Sequence, residues 1–121
     1  MGHHKELLAY QKAYALAIKI YTLSKRFPGE EKFSLTDQIR RSSRSVCTNL
    51  AEAYKRRRYK DYFVSKLNDS ETENTETEVW LDFAKDCSYI IDTQDYQELI
   101  ALNTEVGKLV WYMINNPDKF M

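Results

Sequence analysis

Two groups of side chains in this chain have the types and spacing for chemistry, and both are charged. The basic group comprises Arg40, Arg41 and Arg44, then the run Lys55, Arg56, Arg57 and Arg58. Guanidinium groups match phosphate geometry, and the run continues into Tyr59 and Tyr62, whose rings can stack on unpaired bases. The acidic group is Glu71, Glu73, Glu76 and Glu78. A carboxylate-bridged metal bundle needs such glutamates together with Glu-x-x-His pairs. The only histidines are His3 and His4, at the extreme N-terminus. No metal or cofactor is therefore expected, with a divalent-ion site built from the glutamates as the alternative. The serines and the two cysteines, Cys47 and Cys87, have no histidine base within the pattern. There is no CxxC pair and no glycine-rich phosphate loop. The residues point to binding rather than catalysis, and the expectation is that the protein is not an enzyme.

The charge is unevenly placed. The chain carries 18 Lys/Arg and 18 Asp/Glu, so its overall electrostatics favours neither nucleic acid nor membrane. From Arg40 to Lys60, however, eight Lys/Arg face one acid, Glu52, giving +7; from Asp61 to Asp86, eight acids face Lys66 and Lys85, giving −6. Such a chain can present one sign to a partner or pair its blocks with one another. A solvated basic face is the plain reading, and an RNA or DNA surface at Arg40, Arg41, Arg44 and Lys55 to Arg58 is the functional one. A structural scaffold that binds a protein partner without nucleic acid is the competing class.

The elements that carry these residues are helical. Three glycines and two prolines in 121 residues favour helix over turn-rich β structure. Leu35, Ile39, Val46, Leu50 and Ala53 recur at helical spacing, and Arg40, Arg41, Arg44, Thr48 and Lys55 fall on the opposite side. This predicts a second helix from Leu35 to about Arg57, capped by Ser34 or Thr36. A first helix is predicted over Lys5 to Phe27, ended by Pro28 and Gly29. It carries two apolar seams, one through Tyr10, Tyr14 and Tyr21 and one through Leu16, Ile20 and Leu23. A single core needs one, so the excess predicts an oligomer. The block from Asn68 to Glu78 holds no apolar residue, yet Phe63, Leu67, Ser70, Asn74, Thr77, Leu81 and Ala84 keep a four-three step through it. A continuous third helix over Lys60 to Cys87 is predicted, with Ser70, Asn74 and Thr77 forming a buried polar layer partnered by Ser42, Ser43 and Asn49. An ion held in that layer is the alternative. A fourth helix is predicted from Thr93 to Asn115, before Pro117. The fold class is all-α: one domain, residues 1–121, an antiparallel up-and-down four-helix bundle.

Cys47 and Cys87 sit in apolar patterns and are expected as buried free thiols in a reducing compartment. With neither a signal peptide nor an apolar run of membrane-spanning length, the protein is expected in the cytoplasm.

The run LTDQIRRSSRSVCTNLAEAY, the basic turn after it and YFVSKLNDSETENTETEVWLDFAKDCSYI together resemble the four-helix-bundle proteins encoded in intervening sequences of bacterial 23S ribosomal RNA genes. The segment AYQKAYALAIKIYTLSKRFPGEEKFSL fits the first helix and connection of that family. The resemblance implies a homopentameric barrel. It also implies, through the related accessory variability protein of diversity-generating retroelements, association with a reverse transcriptase and nucleic acid through basic surfaces, here Arg40, Arg41 and Arg44. Cys47 stands where the family commonly has proline and Ala53 where it has glycine, so helix 2 is expected to be straighter.

Overall fold

The structure is a computed structural model that describes residues 2–121. Four helices account for the fold: α1 (Leu8–Ser24), α2 (Leu35–Lys55), α3 (Lys60–Asp86) and α4 (Thr93–Asn115). Each packs on its neighbours in sequence and α1 closes against α4, leaving α1 and α3 on the diagonal. This is the expected up-and-down bundle.

α3 runs without interruption through the apolar-free block. All seven residues of its four-three step are buried, and Ser70 and Thr77 are as inaccessible as Phe63 and Leu67. The polar layer splits the core into two apolar compartments. One gathers Leu7, Leu50, Phe63, Leu67 and Val110; the other gathers Leu16, Ile20, Ile39, Leu81 and Leu99. Between them Ser42 Oγ and Thr77 Oγ1 lie 2.8 Å apart, and Ser70 Oγ donates to Val46 O at 2.9 Å. Asn74 and Asn103 bond reciprocally: Asn74 Nδ2 donates to Asn103 O (2.9 Å), and Asn103 Nδ2 donates to Asn74 O (3.0 Å) and Asn74 Oδ1 (3.1 Å). Gly107 leaves room for this pair, since a Cβ there would stand 3.3 Å from Asn74 Nδ2. Among the described residues no buried side-chain N or O lacks a partner. Each buried polar atom of the layer thus has a partner within the protein.

Two of the three expected α2 partners are not used across helices. Ser43 Oγ donates to Arg40 O and Asn49 Nδ2 to Ser45 O, both within α2. Their bonds close locally, and α4 supplies Asn103 instead.

The helix ends also differ from expectation. α1 begins at Leu8 because Leu7 adopts an extended conformation and is itself buried. The preceding turn is closed by His3, whose Nδ1 accepts from Lys5 N. The chain leaves the α-helix after Ser24 through tighter turns to Phe27, whose helical conformation Pro28 disfavours. At the start of α2, neither Ser34 nor Thr36 caps: Thr36 is buried, and Ser34 Oγ donates to Glu31 Oε1, which also accepts from Leu35 N at 3.4 Å. Glu31 Oε2 accepts from Tyr89 Oη at 2.9 Å, tying this corner to the α3–α4 loop. The bonds from Ser34 and Tyr89 hold the Glu31 carboxyl below its ordinary range. α2 ends at Lys55 rather than Arg57. Cys87 is exposed, not buried, because it lies one residue beyond α3. Cys47 is buried, and desolvation pushes its thiol up to about 11.

Candidate nucleic-acid interface

α2 places its arginines because its leucine stripe is committed to the core. With Leu35, Ile39, Val46, Leu50 and Ala53 buried, residues a half-turn away are forced outward. Arg40, Arg41 and Arg44 line one shallow groove with Lys32, Phe33 and Thr48. Lys55 to Arg58 gather in a second basic patch at the α2–α3 turn. The predicted residues are therefore two patches. Arg44 and Lys55 are eleven positions apart on one helix, about 17 Å along its axis.

The members of each patch are unequally free. Arg40 is half-buried. Its Nε donates to Ser24 Oγ at 2.8 Å, Ser24 Oγ donates to Tyr21 O at 3.0 Å, and its guanidinium lies 4.8 Å from the Tyr21 ring centre. Arg40 thus fastens α2 to α1. Arg44 lies 5.6 Å from the same ring and Lys25 4.8 Å, so Tyr21 sits among three cations. Tyr21 belongs to the site although its spacing assigns it to an apolar seam of α1; only the adjacency of α1 and α2 brings it there. Arg41 reaches Asp37 at 3.9 Å with both side chains largely exposed, a pairing that contributes little. Arg41 also faces Glu73 on α3. Partial burial, Glu76 and Asp69 raise the Glu73 carboxyl, and Arg41 opposes them. In the second patch, Arg57 is pinned: its Nη1 donates to Tyr54 O at 2.9 Å and its guanidinium lies 4.0 Å from the Tyr54 ring. Lys55, Arg56 and Arg58 are exposed, and none pairs with a carboxylate among the described residues.

Among the described residues no carboxylate of the acidic block forms an ion pair with these cations, and two carboxylates outside the block have other partners. Glu52 is taken by Lys66 at 3.1 Å and Asp118 by Lys60 at 3.2 Å. Glu76 accepts from Trp80 Nε1 at 3.3 Å. No three His, Cys, Asp or Glu side chains converge on a metal-sized site among the described residues, and no helix there is long and apolar enough to cross a membrane.

Four helices packed as an up-and-down bundle place the chain in the class of small all-α proteins. Within that class the chain belongs to the 23S rRNA-intervening sequence protein family, whose model matches residues 5–111. It is similar to the crystal structure of a protein of unknown function from the S23 ribosomal protein family of Bacteroides thetaiotaomicron. The TM-score is 0.80 and the identity 31%, over 89% of this chain and 96% of that one. No curated protein matches the chain.

Proposed function

We propose that this protein is a non-catalytic, oligomeric module that binds the phosphate backbone of nucleic acid through the exposed cations of α2 and its C-terminal turn. The observation that carries the reading is the state of those cations. Arg44, Lys55, Arg56 and Arg58 are exposed and form no ion pair among the described residues, while Glu52 and Asp118 are paired with Lys66 and Lys60. Exposed guanidinium and ammonium groups in this state are suited to phosphate, with little dependence on base sequence. The family takes its name from an intervening sequence in 23S rRNA, which is compatible with an RNA ligand.

Apolar surface favours assembly as the accompanying role. Tyr14 and Ile18 stand outward on α1, and Val79 and Phe83 outward on the diagonal α3. Two unlike apolar faces on opposite sides of one subunit suit a heterologous, ring-closing contact. The resemblance makes that ring a pentamer. Phe33 and Ile91, 86% and 91% exposed, suit the competing scaffold reading, in which a different protein is the partner.

Salt dependence tests the proposal. Four contacts, Arg44, Lys55, Arg56 and Arg58, on one strand predict a slope of log affinity against log salt of about −3, at roughly −0.7 per contact. Arg44→Glu with Lys55→Glu should halve that slope and weaken binding across all sequences. Arg40 is left unchanged because reversing it would break the Ser24 bond. An unmodified protein that binds neither RNA nor DNA at low salt refutes the proposal and leaves the scaffold role.

A further inference from the structure

The α2–α3 turn is more than a run of positive charge. Each of its three arginines lies over a different tyrosine. Arg57 covers the buried Tyr54 and bonds its carbonyl, which clamps the middle of the turn to the core. Arg56 lies 5.9 Å from the ring of Tyr62, and Arg58 lies 5.0 Å from that of Tyr59. Those two rings are exposed, 43% and 51%.

Resting on the phosphate-binding reading above, we infer that the paired Arg56–Tyr62 and Arg58–Tyr59 planes of the α2–α3 turn bind unpaired bases, so that the nucleic acid recognised is single-stranded. Phosphate contact alone needs no rings, and exposing two tyrosines beside charge leaves apolar surface in water. A base offers a flat π face that covers such a ring. In a duplex both faces of each base are already stacked, so only an unpaired segment can dock. A guanidinium displaced from a ring by a base can turn its N–H groups to the adjacent phosphate. The clamp through Arg57 fixes the turn, so its flanking planes are positioned before a ligand arrives. The rest of α2 extends the track. Arg44 and Arg56 are twelve positions apart, about 18 Å along the axis.

The test uses the full chain and a labelled twelve-nucleotide RNA. Anisotropy titrations compare the strand alone, the strand annealed to its complement, and an abasic strand of equal length. The natural strand should bind at least about tenfold more tightly than either of the others. Tyr59→Leu with Tyr62→Leu should erase that advantage while duplex affinity stays unchanged, and Tyr59→Trp with Tyr62→Trp should keep it. Should the double leucine variant lose helicity, the natural-against-abasic comparison on unmodified protein decides alone. Equal affinity for natural and abasic strands overturns the inference and leaves phosphate binding standing. A polyglutamate peptide that displaces the strand as well as RNA of equal charge also overturns the inference, in favour of an acidic protein. Absence of binding to all three nucleic acids overturns the phosphate-binding reading itself.

Discussion

The polar layer makes a sharp energetic claim, and the Ser42–Thr77 contact is the place to test it. Thr77 Oγ1 donates its single hydrogen to Glu73 O at 2.9 Å. It therefore accepts in the 2.8 Å contact, and Ser42 is the donor. Thr77→Val keeps the shape and the β-branch, so packing and helix propensity barely change. It leaves the Ser42 hydroxyl with only Ile39 O, at a long 3.4 Å. A buried donor so poorly served costs about 1–2 kcal/mol. Ser42→Ala removes the donor but orphans no hydrogen, because Thr77 still donates to Glu73 O; its cost is about 0.5–1 kcal/mol. With both changes the orphan disappears, so the double variant should be less destabilised than the sum of the singles by about 1 kcal/mol. Urea denaturation at one fixed protein concentration, followed by circular dichroism, measures all four corners of the cycle. Single costs that add within about 0.3 kcal/mol would refute the bond, and with it the account of why an apolar-free stretch is helical.

Two further outcomes are expected. Native protein treated with a thiol reagent at pH 8 should show one fast thiol, Cys87, removed by Cys87→Ser. Cys47, buried and with its thiol pushed up to about 11, should have about one thiolate in a thousand and react only on unfolding; equal rates would contradict its burial. Light scattering coupled to gel filtration should give about five chains' mass, and charged substitutions at Ile18 or Phe83 should reduce it. A monomer at micromolar concentration would refute the assembly argument, whereas a ring of another size would refute only the number.

The bundle was legible because two periodicities agree. α2 shows an apolar stripe, and α3 keeps its four-three step even where the stripe turns polar. A loop would have no reason to hold that phase. The layer's partners were less legible. Ser42 was found because it flanks the α2 stripe, but Ser43 and Asn49 flank it too and bond inside their own helix. Choosing among them requires the rotation of α2 against α3, which no single helix encodes. Asn103 is readable as inward on α4, yet its partnership with Asn74 requires the placement of α4 against α3, where Gly107 leaves room beside Asn74. The cap of α2 failed for a similar reason. Glu31 takes Leu35 N because Tyr89, 58 residues away, holds the other carboxylate oxygen.

For the basic surface, sequence supplied the residues and the fold supplied their availability. Seven cations read alike in the chain, but they do three different jobs. Arg40 and Arg57 fasten elements through Ser24 and Tyr54. Arg41 is partly answered by Asp37 and by the nearby Glu73. Arg44, Lys55, Arg56 and Arg58 make no ion pair among the described residues. An antiparallel α2–α3 pair brings the +7 and −6 blocks side by side, and a fold that used them for mutual neutralisation would show ladders of ion pairs between the helices. Among the described residues only Lys66 with Glu52 crosses from α3 to α2, and there the sign is reversed: the acidic helix supplies the cation. The opposite blocks therefore do little to hold the helices together. That work falls to the apolar compartments and the polar layer, and Arg44 and Lys55 of α2 take no part in it through ion pairs among the described residues.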